Sequence, residues 1–426
     1  MRSIGLDIHR DFAEVAIAEG GEISSAGRIE MTPEALELFA RSLGSDDQVA
    51  LEVSGNAWEV ARIIRPHVAK LIAVSPADTG IRAARAKTDR LDARALAKLL
   101  AAGQLDGVWV PDEATRAMRR RLGRRAQLVG VRTKAKNEIH AALMRRLVAK
   151  PKVSDLFGLK GRRWLEEVEL PASERETVDG CLRQLDFCEQ EIAEIERVVA
   201  TEALASPEVR RLMTIPGMNI ITASAFMAAI GDVGRFADRK KLVGYLGLDP
   251  KVRESGTTAA SRARISKQGS ASGRYALVEA SWSVILAPGP MHAFFERIRA
   301  RRGHQAAIVA VARKLACLCW CMLTRGEDYA YAQPSLTAKK IRRAEIRAGA
   351  PKRKGVKPGT WAANAAIRQA ERELALQAEV AYKRTVADWQ RTQAQKKGAG
   401  ATPGRASRGP SSGQAARQNE APSPAL

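Results

Sequence analysis

Residues 2–29 read RSIGLDIHRDFAEVAIAEGGEISSAGRI. The apolar alternation around Ile4 and Leu6 predicts a strand over 3–8, and the apolar-rich run 12–18 predicts a second. Gly20-Gly21 is a hairpin turn signal leading into a third strand over 22–29. Further along, Thr32 caps a helix with Pro33 at its first position, ending near residue 43. A strand over 48–53, a helix over 57–64 and a strand over 69–74 follow. Pro76 opens a helical region, and 88–102 is helical, stopping at Gly103. Periodicity alone makes residues 1–110 a mixed α/β domain.

The whole chain has 426 residues, with 70 Lys+Arg against 47 Asp+Glu and a formal charge of +23. Its length suggests two or three domains, and 45% hydrophobic residues are enough for real cores. The longest apolar candidate, 305–324, is cut by Arg313 and Lys314, which argues against a membrane span. The N-terminus meets an acid at Asp7 and lacks the apolar core of a secretory signal. Five cysteines form no C-x-x-C pair and fit no disulfide framework. Cys317, Cys319 and Cys321 alternate within a helical context, which spreads them around the helix and suits packing better than a metal. The expectation is a soluble, cytoplasmic, nucleoid-associated protein with a polyanion partner and no membrane.

The charge is blocked. Residues 116–163 hold 16 Lys/Arg and two acids, 164–208 hold 13 acids and three Arg, and 333–426 hold 19 basic and six acidic residues. A basic block can neutralise phosphates through counterion release, whereas an acidic one is repelled from nucleic acid. Residues 115–150 read as one long basic helix. The acidic segment carries Val178, Leu182, Leu185, Cys188, Ile192, Ile195 and Val199 at spacings of three and four, a coiled-coil seam. It either joins two copies as a homo-oligomer, dimer or tetramer, or packs back on the basic helix. Residues 213–225, with Ile215-Pro216-Gly217-Met218-Asn219, resemble a helix-hairpin-helix whose glycine turn offers N–H groups to a phosphate. A second glycine is usual where Asn219 stands. Apolar helices run to 323, residues 361–395 look helical, and the low-complexity end beyond Lys396 reads as disordered.

Four acids stand out by placement. Asp7 lies among apolar neighbours in a strand, where a carboxylate is costly unless paired or metal-bound. Glu52 closes the strand 48–53, just before Ser54-Gly55-Asn56. Asp89 and Asp92, three apart in a helix, project from one face. Oxygen-rich clusters of this kind hold Mg²⁺, and two ions about 3.5–4 Å apart activate a nucleophile and stabilise a leaving oxygen. The alternative is an ordinary strand-end Glu and an exposed helical Asp pair; Asp7 is the hardest to explain structurally. His9, two residues on along the strand, is a weaker candidate: it could share the Asp7 face and support it, though an ordinary strand histidine is the leading reading.

The stretches IGLDIHRDFAEVAI, LEVSGNAWEVARII and LIAVSPADTGIRAARAKTDRLDARALAKLLAAG resemble the N-terminal domain of the DEDD transposases. These are the recombinases of a bacterial insertion-sequence family, with a RuvC-like nuclease domain. KTDRLDARALA is its most specific block. The family often has Lys where Arg10 stands. The resemblance implies an RNase H-like (RuvC-like) fold for the βββ-α-β-α-β-α order. It places the family's acidic quartet on Asp7, Glu52, Asp89 and Asp92, as ligands of Mg²⁺ (two ions, with Mn²⁺ able to substitute).

The C-terminal half, LMTIPGMNIITASAFMAAIGDVGRFADRKKLVGYLGLDP and RESGTTAASRARISKQGSASGRYAL, is similar to the family's transposase domain. There the serine of an SG pair is taken as the nucleophile, which here is Ser255. From the residues alone, Ser255-Gly256 reads first as a plain turn, and no spacing separates Ser255 from Ser261, Ser266 and Ser270. A serine hydroxyl needs a base or a metal to activate it; the carboxylates would serve if the two domains meet, across protomers. Arg253, Arg262, Arg264, Lys267 and Arg274 surround these serines; they would hold the scissile phosphate, or each is equally a solvated loop charge.

The expected organisation is therefore α/β followed by all-α. A RuvC-like DEDD nuclease domain spans 1–110 and a basic helix with an acidic coiled-coil arm spans 111–206. A transposase domain with a serine loop spans 207–332, opening on the helix-hairpin-helix-like element, and a basic tail, partly helical, spans 333–426. The expected activity is DNA strand cleavage and exchange through a serine–DNA phosphoester, without ATP, which fits the absence of a G-x-x-x-x-G-K-[ST] loop. The family implies a structured guide RNA from its own element. The alternatives are a RuvC-like endonuclease using water, with Ser255 idle, and a non-catalytic nucleic-acid-binding scaffold.

Overall fold

The computed structural model describes residues 1–75, 88–149, 151–255, 258–352 and 360–399, with side chains described outside 252–263, 360–362 and 396–399. The helical region expected from Pro76 to 87, Gly256 and the low-complexity end after 399 lie outside the described residues. Two units are present, Met1–Asp112 and Glu113–Leu426.

In the first unit the elements are β1 (Ser3–Ile8), β2 (Phe12–Glu19), β3 (Glu22–Glu30), α1 (Pro33–Arg41), β4 (Gln48–Glu52), α2 (Ala57–Ile64), β5 (Lys70–Val74) and α3 (Asp89–Ala101). They form one mixed sheet in the order β3-β2-β1-β4-β5. β1 pairs antiparallel with β2 and parallel with β4. This mixed α/β arrangement is compatible with an RNase H-like domain.

Side-chain alternation assigns the two faces of the sheet. Ile4, Leu6 and Ile8 with Ala13 and Val15 form one face, closed by Leu36 and Ala40 of α1 and by Val60, Ala61 and Ile64 of α2. The other face carries Ser3, Gly5 and Asp7 opposite Ala18, Ala16 and Glu14. Against it lies α3, with Ala93 and Ala97 packed on Ala16 and Ala18. A Cβ on Gly5 would stand 2.2 Å from the Ala93 carbonyl oxygen and 2.6 Å from the Ala97 nitrogen. The helix thus rests on bare strand backbone, and its first turn is carried towards Asp7. The β1–β4 register is pinned at its start. The Arg2 backbone N–H donates to Asp47 Oδ1 at 2.9 Å, its side chain pairs with the same carboxylate, and Gln48 N–H donates to the Arg2 carbonyl.

The second unit opens with α4 (Glu113–Arg145), α5 (Leu159–Glu167) and α6 (Ala172–Ala205). α4 and α6 pack antiparallel. Val178 and Leu185 meet Ala135, Ile139 and Leu143, and Cys188 and Ile192 meet Leu128. Of the two readings of the seam, packing back on the basic helix is the one observed. The charges follow suit: Arg121 pairs with Glu202, Arg125 with Glu196, and Arg145 and Arg146 with Glu174.

A single core then joins α7 (Pro207–Leu212), α8 (Ile220–Ile230), α9 (Arg239–Tyr245), α10 (Ala271–Val284), α11 (Pro290–Arg302) and α12 (His304–Arg325). Among the described residues, α12 alone is long and apolar enough to cross a membrane. Its Ala307, Ile308, Val311, Leu315 and Cys319 lie in this core, the place of a buried helix. The α7–α8 hairpin is present, but its turn is not a phosphate cradle. Gly217 is buried, and a Cβ there would stand 2.2 Å from the Ala280 carbonyl of α10. Asn219 caps α8, and its side chain takes the N–H groups of Ile221 and Thr222. Residues 249–273, read as a polar loop, instead contain an antiparallel ribbon of β6 (Pro250–Ser255) and β7 (Thr258–Ile265). Beyond 333, α13 (Pro334–Arg347) places Ala344 in the main core, and α14 (Thr360–Ala399) packs Tyr382 and Val386 on Ala293.

Candidate active site

The carboxylates gather where β1 and β4 end and α3 begins. Thr88 caps α3, its Oγ accepting from Leu91 N–H, so Asp89 and Asp92 fall in the first turn at the positive end of the helix dipole. Asp7 is 9% exposed. His9 Nε2 lies 3.1 Å from Asp7 Oδ2 and 3.3 Å from Asp89 Oδ1. One donor atom from each of Asp7, His9 and Asp89 lies within 4.8 Å of the other two. Asp92 is buried beside them. Glu52 ends β4 one step beyond the Leu6–Leu51 pair, which places it next to Asp7 on the neighbouring strand.

Burial raises the Asp7 carboxyl above its ordinary range. The charge and hydrogen bond of His9 pull the other way, and the charges of Asp92 and Asp89 push it further up. Carboxylates concentrated at a half-enclosed point repel one another, and an oxygen-rich set with one imidazole is the donor chemistry a hard divalent cation takes. The residues present therefore fit such an ion.

His9 is only a weak candidate in the sequence; the structure places its ring nitrogen among the donor atoms themselves. The local frame explains this. Asn56 Nδ2 donates to the His9 carbonyl at 2.9 Å, and Ser54 Oγ donates to Asn56 Oδ1. The turn after β4 is thereby tied to the end of β1, and Glu52 is held alongside. Sequence reasoning missed Asn56, and it missed Glu14, the buried partner of Asp7 across β1–β2. An acid at an inward position of β2 was the available signal.

In the second unit Ser255 is the last residue of β6 and faces Thr258 across the ribbon. It therefore stands at the hairpin tip. Two of its rivals have other work. Ser266 Oγ donates to Asp249 Oδ1 at 2.6 Å, closing the base of the ribbon. Ser270 caps α10. The side chain of Ser261 lies outside the described residues, as do those of Ser255, Arg253 and Arg262. Arg274 donates Nη1 to the Leu246 carbonyl at 2.8 Å and is half-buried, so it braces the end of α9. Arg264 and Lys267 are exposed.

Two family descriptions match this chain. Residues 4–146 match the DEDD transposase model, and residues 209–296 match the description "Transposase IS116/IS110/IS902 family". The chain belongs to the DEDD transposases of insertion sequences. It is similar to the Sinorhizobium fredii protein named "Putative transposase y4qE", at 29% identity over 66% of this chain and 71% of that one. It is also similar to the transposase for insertion sequence element IS1111A of Coxiella burnetii, at 25% identity over 77% of this chain and 91% of that one. A third relative is the transposase for element IS1328 of Yersinia enterocolitica, 27% identical over 65% and 84%. Membership makes this an enzyme that cleaves and recombines DNA and implies use of a divalent metal ion. The match to residues 4–146 spans Asp7, Glu52, Asp89 and Asp92; the match to 209–296 spans the ribbon with Ser255.

Proposed function

We propose that this transposase moves its element by phosphoryl transfer through a covalent serine–DNA phosphoester. The observation that carries the reading is the Asp7–His9–Asp89 donor set beside Asp92, reinforced by a serine at a ribbon tip within a matched transposase segment. Asp7, Glu52, Asp89 and Asp92 would hold Mg²⁺. The bound metal would polarise the phosphoryl oxygens and favour the deprotonated nucleophile. His9 orients the Asp7 and Asp89 carboxylates through its Nε2 contacts.

The Ser255 oxygen forms a bond to the scissile phosphorus as the bridging oxygen of one strand leaves. One ester replaces another, so bond energy is retained, and a strand hydroxyl reverses the step to join a new partner. Arg264 and Lys267, together with Arg253 and Arg262, would meet the phosphates around Ser255. A structured RNA from the element would select donor and target DNA by base pairing, held through its backbone by basic surface. Copies of the chain would assemble on the DNA ends through faces other than the 178–199 seam, which α4 already covers.

The test is cleavage of labelled element-end DNA with the flanking RNA. Mg²⁺ supports cleavage and a chelator stops it. Asp7→Ala abolishes it, a loss of at least about 100-fold given what positioned carboxylate–metal chemistry contributes. Cleavage that survives Asp7→Ala would overturn the assignment of this site.

A further inference from the structure

Glu14 and Asp7 are direct partners across β1–β2, so both side chains leave the same side of the sheet, with paired Cα atoms about 4.5–5.5 Å apart. The Glu14 side chain is 3% exposed. It accepts from Nε of Arg28 in β3 at 2.8 Å and from Nε of Arg90 at 3.5 Å. Arg90 belongs to the first turn of α3, between Asp89 and Asp92. Although their anchor is buried, the two arginine side chains are open to solvent, 62% and 67% exposed. Each directs Nε to Glu14, and among the described residues no carbonyl or second carboxylate takes their Nη groups. Arg28 is further steadied by lying 4.2 Å from the centre of the Phe12 ring.

One carboxylate set against two guanidinium groups leaves a net positive charge beside an acidic pocket. That placement matters physically, because a cluster of carboxylates repels the polyanion it must act on. Guanidinium groups fixed at Nε present their outer N–H edges in the planar geometry that phosphate oxygens match. Fixing them beforehand lowers the entropy lost when a phosphate arrives.

We propose that Arg28 and Arg90, both held by Glu14, form a clamp for a backbone phosphate of the DNA strand lying across the Asp7 site. The clamp rests on the reading of this site as the DNA-cutting centre. It takes a phosphate flanking the scissile one, and Glu14 is a positioning residue that touches no substrate.

The test uses the full chain with the flanking RNA and a labelled duplex carrying the element's terminal sequence, in chelator so that no strand is cut. Affinity is measured across a salt series. Arg28→Gln and Arg90→Gln, which keep a donor for Glu14, should each weaken binding about 5–10-fold. Each should also lower the slope of log affinity against log salt by about 0.9, the loss of one phosphate contact. Arg28→Lys and Arg90→Lys should keep the slope. Arg62→Gln, on α2 and paired with Glu59, should match wild type, as should the melting temperature of every variant scored. Wild-type slopes in both Gln variants would overturn the clamp alone and leave the arginines as counter-ions of Glu14. A wild-type protein with no salt-dependent affinity for the duplex would overturn the clamp and the reading of the Asp7 site as the DNA-cutting centre together.

Discussion

Asp47 shows how one residue far from the chemistry sets the site. Burial raises its carboxyl, but the Arg2 guanidinium and the N–H groups of Gly44 and Arg2 outweigh that and hold it at about 2, against an ordinary 3.8. A depressed folded value stabilises the fold above the unfolded pKa and loses that stabilisation as pH falls through the folded one. The shift corresponds to about 2 kcal/mol. Asp47→Asn should therefore cost about that much at pH 7 by chemical denaturation, with the difference from wild type shrinking between pH about 4 and about 2. A difference that stays constant over that window would contradict the assignment. Since Arg2 and Asp47 fix the β1–β4 register, they also decide that Glu52 ends beside Asp7. The four acids are named in the sequence only through the resemblance that KTDRLDARALA carries; placement alone singles out Asp7, a strand aspartate among apolar neighbours. Asn56 is not legible there, since its role depends on β4 lying next to β1, and Glu14 shows only as an acid at an inward position of β2.

At the scale of elements, α3 and β1 form the joint on which the first unit depends. Gly5 admits the helix backbone, and Ala93 and Ala97 complete the fit. Gly5→Ala would force α3 outward at a cost of about 1–3 kcal/mol and move Asp89 and Asp92 relative to Asp7. Misplacement on the ångström scale lowers turnover on the order of 100-fold. Denaturation and cleavage assays on the same variant should show both effects; full cleavage activity would contradict the joint. The elements of this unit were legible because alternation, caps and turn glycines all agree: Thr32, Gly20-Gly21 and Thr88 each mark a boundary the structure keeps. The ribbon of β6 and β7 was hidden by its polarity, which removes the alternation that marks a strand. Gly217 misled for a different reason: a glycine in a turn signals close approach, and here what approaches is α10 rather than a phosphate.

At the scale of the whole molecule, the excess of positive charge overstates the surface offered to nucleic acid. Three arginines of α4, Arg121, Arg125 and Arg145, are spent on the acids of α6, whereas Arg124, Arg132 and Lys134 have no ion-pair partner among the described residues. The opposed charge blocks, legible in sequence, thus mark two helices that bind each other. Sequence could not choose between this pairing and a dimer seam, because both bury the same apolar spacing. The proposed chemistry calls on the carboxylates of the first unit and the serine of the second, and that is where the central claim is tested. The protein is incubated with element-end DNA, Mg²⁺ and the flanking RNA, then denatured and examined for a protein–DNA adduct. A serine transposase gives an adduct that is absent in Ser255→Ala and in Asp7→Ala but present in Ser266→Ala, whose hydroxyl is committed to Asp249. Strand cleavage that proceeds without an adduct and is indifferent to Ser255→Ala would contradict it and assign the attack to water.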